Sequence, residues 1–398
     1  VGNPPYQGAS KMVDTTYIAS YYYDVKADLY AAFLKRGLEL TKLDGFSAMI
    51  TLRSWLFINN FEDLRMSSSK ECSVRCIADL HYGAFSELKD VSVAMSVIQQ
   101  GDSQKKSYFL QPVKNEFVIR DLEQVNRNIS GLIAPYRIFS HNLNEFDEIK
   151  GNPFIYWWST DFIRHYVNTP KLGEKSPAKF GLTTGNNLRF VVFWWELSSF
   201  NTQEIVNGGI KLDFRKDSMW VPFVLGARGA QWIEPLREMI KWDKFGAEVK
   251  TKSEFQYGTV SKQIRNEHTY FVEGVAFTTI GTRFSARTHR YPSIISNAAS
   301  SVFPENIHEV TCLLNSTIGR DVLSSLNPTV NFQVGDVNRL PLFPIESADQ
   351  IFAQLDTAFT QHEAARETSV EFQQPGPSCW TYAQAWAQQS VDRPAGDP

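Results

Sequence analysis

Between Asp24 and Leu43 the segment DVKADLYAAFLKRGLELTKL places Val25, Leu29, Phe33 and Leu40 near one face at helical spacing, with charge elsewhere. A helix is predicted there, with Asp24 or Asp28 as its N-cap and Gly45 as its stop. FSAMITL (Phe46 to Leu52) then reads as a buried strand. CIADLHY (Cys76 to Tyr82) and VSVAMSVI (Val91 to Ile98) read as two more, separated by Gly83, Ala84, Phe85 and a charged turn. Helix followed by strand is the repeat of an α/β domain, so residues 1–110 read as the second half of a doubly wound sheet whose first half is absent.

Beyond about residue 130 the helical period fades, and short apolar or aromatic runs alternate with Gly, Asn and Pro. Trp157, Trp158, Trp194, Trp195, Trp220, Trp232 and Trp242 concentrate in this part. A second, mixed α+β domain over 111–345 is expected. The Trp pairs at 157 and 194 are expected to be core anchors, because Phe154, Ile155, Val191 and Phe193 beside them are also apolar. Ser347 to Glu367 carries a helical pattern, and the Gln-rich, Pro-ending remainder is expected to be a loose tail, giving a third region, 346–398.

The 398 residues are 43% hydrophobic and 21% charged, with a formal net charge of -3, which excludes a disordered polyelectrolyte and any partner attracted by overall charge. The distribution changes that picture. Between residues 161 and 290, 19 Lys and Arg face 13 Asp and Glu, so a local +6 is balanced by acidic surroundings. The four cysteines, Cys72, Cys76, Cys312 and Cys379, form neither a disulfide framework nor a zinc spacing, and no metal site is expected. Without a signal peptide or an apolar run near the roughly 20 residues of a membrane span, a cytoplasmic protein with no membrane partner is expected. A first residue Val in place of Met suggests a piece of a longer chain.

The candidate chemistry lies in VGNPPY at the start. Two consecutive prolines fix φ and remove two backbone donors, so the carbonyls of Asn3 and Pro4 are held outward as a rigid acceptor pair. Asn3 adds a side-chain carbonyl, and Tyr6 adds a flat face close by. This set suits a planar ring bearing an exocyclic amine. Two acceptors take both amine hydrogens, the ring stacks on the base, and the nitrogen lone pair is left pointing at an electrophile. The same string also serves as an ordinary polyproline kink.

VGNPPYQG, with DLYAAFLKRGLELTKLDGFSAMITLRSWLFINNFEDLR after it, resembles the catalytic motif and following elements of the amino (N6-adenine) DNA methyltransferases of the γ arrangement. IADLHYGAFSELKDVSVAMSVI, GLTTGNNLRFVVFWWE, YFVEGVAFTTIGTRFSAR, LNPTVNFQVGDVNRLPL and ETSVEF narrow the resemblance to the C-terminal part of the BREX (phage-growth-limitation, PglX-type) adenine methyltransferases, over nearly the whole chain. The resemblance implies a Rossmann-like methyltransferase sheet, S-adenosylmethionine as cofactor, double-stranded DNA as partner and possible further phage-defence subunits. It implies that Asn3, Pro4 and Pro5 shape the acceptor for N6, that Tyr6 and Phe85 close on the two faces of a flipped adenine, and that Gly2, Asn3 and Asp28 border the cofactor. Phe85 is equally suited to plain core packing.

The family's Gly-rich cofactor loop and acidic residue precede the Asn-Pro-Pro-Tyr string, and no such loop occurs here, so most of the cofactor pocket is expected to lie outside this chain. The second domain becomes a target-recognition region, with Lys179, Asn186, Asn187, Arg189, Arg283, Arg287 and Arg290 as candidate DNA contacts, set against a solvated charged face. Arg283, Arg287, His289 and Arg290 cluster within eight residues and are the first choice among them. Two other readings remain: a DNA-binding specificity module without catalysis, and a methyltransferase acting on a protein glutamine amide.

Overall fold

The computed structural model of the chain describes residues 1–85, 87, 91–101, 106–112, 131–197, 204–206, 209–211, 219–281, 283–328 and 331–393. It divides into two compact units, Val1–Asn168 and Thr169–Pro398, so the division expected near residue 110 falls inside the first unit.

The first unit is built on a five-stranded sheet. In chain order its strands are β1 (Phe46–Leu52), β2 (Cys72–His81), β3 (Val93–Gln100), β4 (Ser107–Gln111) and β5 (Arg137–His141), and in space they run β1-β3-β2-β4-β5. β3 lies antiparallel between β1 and β2, so the sheet is mixed rather than wholly parallel. The parallel pairings are β2 with β4 and, at the β1 edge, the single bridge from Gly2 to Met49. Three helices accompany these strands, α1 (Thr15–Tyr21), α2 (Leu29–Glu39) and α3 (Glu62–Lys70), and α4 (Thr160–Asn168) closes the unit.

α2 confirms the helix expected from periodicity, with Asp28 as N-cap accepting from the Tyr30 amide. Its buried side is Tyr30, Ala31, Leu34 and Leu38; Phe33 and Leu40, expected to face inward, are exposed. Both stripes satisfy the helical period, and the approach of β1 decides between them. Gly37 lets the two meet, because a Cβ there would stand 2.4 Å from Met49 Cε.

The residues that extend this unit to 168 are aromatic. Phe109 stacks on Tyr156 at 4.8 Å, and Phe146 and Phe154 are fully buried with them. Trp158 is buried as expected, although it belongs here and not to the second unit. Arg65, also fully buried, donates through Nε to the Asn152 carbonyl at 2.6 Å and through its Nη groups to those of Trp55, Ile58 and Gly151. Four carbonyl oxygens thus help to hold a buried cation.

The second unit holds two four-stranded sheets and a helical layer. β10 (Trp232–Glu234), β13 (Ala286–His289), β12 (Val275–Phe277) and β15 (Ser301–Val302) form one sheet in that spatial order. β14 (Ile294–Ile295), β9 (Trp220–Val224), β11 (Glu238–Lys241) and β6 (Val191–Phe193) form the other, and β7 (Glu204–Val206) with β8 (Gly209–Lys211) makes a separate hairpin. The helices of nine residues or more are α5 (Asp243–Tyr257), α6 (Ile307–Asn315), α7 (Thr317–Leu326), α8 (Ala348–Ala365) and α9 (Trp380–Val391). α8 occupies the segment expected to be helical.

α9 corrects the loose tail. Its Ala387 and Val391 join a core with Trp232, Phe352, Leu355 and Phe359, and Gln388 donates to the Asn315 carbonyl at 3.0 Å. The glutamines masked an apolar spacing of three to four residues through Trp380, Ala383, Ala387 and Val391. The second Trp pair divides: Trp194 packs, partly buried, on the core of Leu236, Met239 and Val370. Trp195 is 52% exposed and stacks on Phe193 at 4.5 Å instead of anchoring a core.

Each unit buries a histidine, His81 in β2 and His289 in β13, and burial pushes both imidazoles down to about 4. The folded state then keeps them neutral while the unfolded chain takes up protons near pH 6.5. Stability is full above that pH and falls as pH drops through 6.5 toward 4. Unfolding free energies from urea titration should therefore be lower at pH 5 than at pH 7, by roughly 2 kcal/mol per histidine, and His289→Gln should remove one share of the difference.

Candidate active site

The amide of Gly2 donates to the Ala48 carbonyl at 2.9 Å, and the Gly2 carbonyl accepts from the Ile50 amide at 3.0 Å. These two bonds seat the chain start as a parallel neighbour of β1. Pro4 and Pro5 then end the pairing because neither has an N–H to give. Pro4 is buried, while Asn3 and Pro5 are exposed. Among the described residues no amide or hydroxyl takes up the Asn3 or Pro4 main-chain carbonyl.

The Tyr6 hydroxyl donates to Asn3 Oδ1 at 3.0 Å and approaches the Ile50 carbonyl at 3.4 Å. Burial raises the Tyr6 phenol, so it stays protonated and remains a donor. Asn3 Oδ1 retains one acceptor position after this bond. The Tyr6 ring meets Tyr30 edge-on at 6.2 Å, and Tyr30 is held in turn by its hydroxyl on Ser54 Oγ at 3.0 Å.

Phe85 lies in the turn after β2, which Gly83 makes with φ 78. It packs, partly buried, on the apolar cluster of Ala78, Leu80 and Val93, and Tyr6 packs on the same cluster. Two aromatic rings 79 positions apart in sequence are thus brought to one patch at the carboxyl ends of the strands.

Asp28 has a structural task. Its Oδ1 accepts from the amides of Gln7 (2.9 Å) and Tyr30 (3.4 Å), so one carboxylate caps α2 and pins the chain just after Tyr6. The Leu29 amide returns a bond to the Gln7 carbonyl at 3.0 Å. Burial raises the Asp28 carboxyl, against the lowering by these amides.

A charged group unforeseen in the sequence lies at the same strand ends. Asp79 is fully buried and accepts from Arg53 at 2.8 to 3.1 Å and from the Tyr156 hydroxyl at 2.9 Å. Burial alone would raise its carboxyl, but Arg53 and its neighbours hold it below the ordinary value. His81 stands 3.6 Å away, too far for a hydrogen bond, at φ 54 and across a bulge in the β2–β3 ladder. The signal in sequence is the lone Asp inside the apolar run CIADLHY, which only a buried partner explains.

In the second unit the candidate contacts separate. Asn186, Asn187 and Arg189 are exposed on one loop: Asn186 Oδ1 accepts the Arg189 amide at 3.2 Å, and Arg189 reaches Glu248 at 2.7 Å. Lys179 is half-buried where its backbone pairs with Ser301, and Arg283 is exposed.

The cluster at 283–290 is the main correction. Arg287 is fully buried in β13 and ion-pairs with Glu234, and His289 is buried on Ser301 Oγ at 3.1 Å. Arg290 is engaged by Glu371 at 2.6 Å and Asp356 at 3.1 Å. β13 lies between β10 and β12 and is covered on both faces, so its charges are paired inward. Arg287 is withdrawn as a DNA contact for that reason, and Arg290 has its guanidinium committed within the fold.

The family model described as Eco57I restriction-modification methylase matches residues 1–85. The chain is 28% identical over 353 residues to the adenine-specific methyltransferase BrxX of Escherichia coli O9:H4 (strain HS), covering 86% of this chain and 27% of that protein. It is also 28% identical over 366 residues to the adenine-specific methyltransferase PglX of Lacticaseibacillus casei (strain Zhang), covering 86% and 29%. The resemblance carried by the motifs is therefore shown, and the chain spans less than a third of the length of these relatives. The fold is shared with the Type ISP restriction-modification enzyme LlaGI, solved as a nuclease-deletion mutant with a DNA substrate mimic (TM-score 0.53, 13% identity, 90% of this chain and 34% of that one). It is shared too with the Type IIL restriction-modification enzyme MmeI, solved with DNA (TM-score 0.52, 13% identity, 98% and 53%).

Asp28→Ala should lower stability by about 1 kcal/mol, the usual cost of a lost cap, and should speed hydrogen exchange at the Gln7 amide. Arg287→Leu should cost more, about 3 kcal/mol or above, because Glu234 is left buried without its partner; urea denaturation checks both.

Proposed function

We propose that this chain is the catalytic-edge and target-recognition portion of a site-specific DNA adenine-N6 methyltransferase of a phage-defence (BREX) or restriction-modification system. The observation that carries this reading is the exit of Asn3-Pro4-Pro5-Tyr6 from its pairing with β1, two main-chain carbonyls free, beside the patch shared by Tyr6 and Phe85. Such a site fits a base taken out of the duplex stack and held between aromatic faces.

In this reading the Asn3 side-chain oxygen and the Pro4 carbonyl accept the two hydrogens of adenine N6. The amine nitrogen is then pyramidal, with its lone pair directed away from the ring. Tyr6, fixed by its bond to Asn3, and Phe85 fix the plane of the base. These acceptors stand in place before the base arrives, so no reorganisation is needed as charge develops on N6. A proton leaves N6 for solvent once the new N–C bond has formed.

S-adenosylmethionine, when bound, supplies an electrophilic methyl on a sulfonium. The residues present fit it only in part. Gly2 is consumed by β1, Asn3 faces the base, and Asp28 keeps one oxygen, Oδ2, beyond those spent on backbone amides. No step is therefore assigned to a cofactor contact within this chain. Double-stranded DNA is the partner, and other subunits of the defence system are further ones.

In the intact protein, Asn3→Ala and Tyr6→Ala should each reduce methyl incorporation into duplex DNA at least a hundredfold, with duplex binding within a few-fold of the unsubstituted protein. Normal methylation by the Asn3→Ala protein would sink the mechanism.

A further inference from the structure

Resting on the reading of the second unit as a DNA-recognition region, the surface that meets the DNA backbone can be placed away from the 283–290 segment. A cleft of about 600 Å³ opens between the 184–190 loop and α5, lined by Arg189, Lys241, Lys244, Lys252 and Phe255 among others. Its charged lining is four cations against two carboxylates, Asp243 and Glu248. Glu248 is shared by Arg189 and Lys241 at 2.5 and 2.8 Å, and its carboxyl is held below the ordinary value by those bonds. Lys244 is exposed and has no carboxylate within ion-pair distance among the described residues. Two cations therefore share one anion while a third has none.

α5 turns this side outward by its own sequence. Val249 and Ser253 point into the core, whereas Glu248, Thr251, Lys252 and Phe255 recur on the cleft side at spacings of three and four. Phe255 is 95% exposed there. On the far side of the loop, Leu188 is 99% exposed and lines a second cleft of about 550 Å³. These apolar groups are held in water by a well-fixed frame. Lys252 Nζ donates to the Thr184 carbonyl at 3.1 Å, Asn186 caps the short helix Asn187–Phe190, and Gly246, at φ 73, lies where a Cβ would strike the buried Trp242 ring.

We infer that this cleft binds the sugar-phosphate backbone of duplex DNA, with Lys244 and Lys252 on phosphates and Phe255 against a sugar or base. Unbalanced cations on a rigid frame fit a phosphate row, and an exposed aromatic ring beside them suits a nucleotide better than an acidic peptide. A strand lying here runs along the loop that carries Asn186 and Asn187, the two exposed amides able to read base edges.

The test uses the intact protein and a fluorescently labelled 30-base-pair duplex of mixed sequence, with affinity followed by anisotropy from low to moderate salt. Lys244→Glu with Lys252→Glu should weaken binding tenfold or more and flatten the log-log salt slope by about two. Phe255→Ala should weaken binding a few-fold and leave the slope unchanged. If the double variant unfolds, Lys244→Glu alone serves, since Lys244 carries no ion pair among the described residues, and its slope should fall by about one. Unaltered affinity and slope, in a protein whose unsubstituted form binds the duplex, would overturn this surface and leave the methyltransferase reading standing. Tighter binding to single-stranded RNA of equal length would overturn it too. No duplex binding by the unsubstituted protein at any salt would overturn the underlying reading itself.

Discussion

The two hydrogen bonds between Gly2 and β1 are the constraint on which the candidate site depends. They place the start of the chain in register with Ala48 and Ile50, so that the next residues leave the sheet at its carboxyl edge. Two prolines make the departure obligatory, since neither can donate to the ladder. What would otherwise be spent on strand pairing, the carbonyls of Asn3 and Pro4, is left without a donor among the described residues. Asp28 then fixes the far end of the same short segment through the Gln7 amide. A site is produced by interrupting a sheet and holding both ends of the interruption.

Around that segment the structure supplies position more than reactive groups. Tyr6 is aligned from one side by Asn3 and from the other by Tyr30, itself tied to Ser54. Beyond it, Asp79 collects Arg53 from the end of β1 and Tyr156 from the aromatic segment, with His81 beside them. Buried ion pairs of this kind contribute little net stability, but they penalise any arrangement that separates them. The carboxyl ends of β1 and β2 are therefore kept in fixed relation by electrostatics.

Much of the first unit was legible in the sequence because its elements follow simple periods. β1 is the strand FSAMITL, and β2 and β3 overlap the two apolar runs assigned to them. The antiparallel insertion of β3 was not legible, since strand direction leaves no mark on alternation. The face of α2 was misread because two stripes satisfied the same period. In the second unit, charge misled. Arg287 and His289 look in sequence like a basic surface patch, yet a central strand buries every residue along it and pairs the charge with Glu234. The cleft beside α5 was hidden for the opposite reason. Its cations are spread from Arg189 to Lys252 and gather only when the loop and helix meet.

Arg65 has a bearing on how such a chain can be recombined. Its guanidinium joins the turns at Trp55 and Ile58 to the carbonyls of Gly151 and Asn152, nearly a hundred residues onward. A junction drawn near residue 110, where the pattern of the sequence changes, would part this buried cation from the Gly151 and Asn152 carbonyls. A junction at Asn168 and Thr169 leaves all four of these bonds within one unit. A chain cut and rejoined at the second point therefore keeps the whole Arg65 tether, and one cut at the first loses half of it.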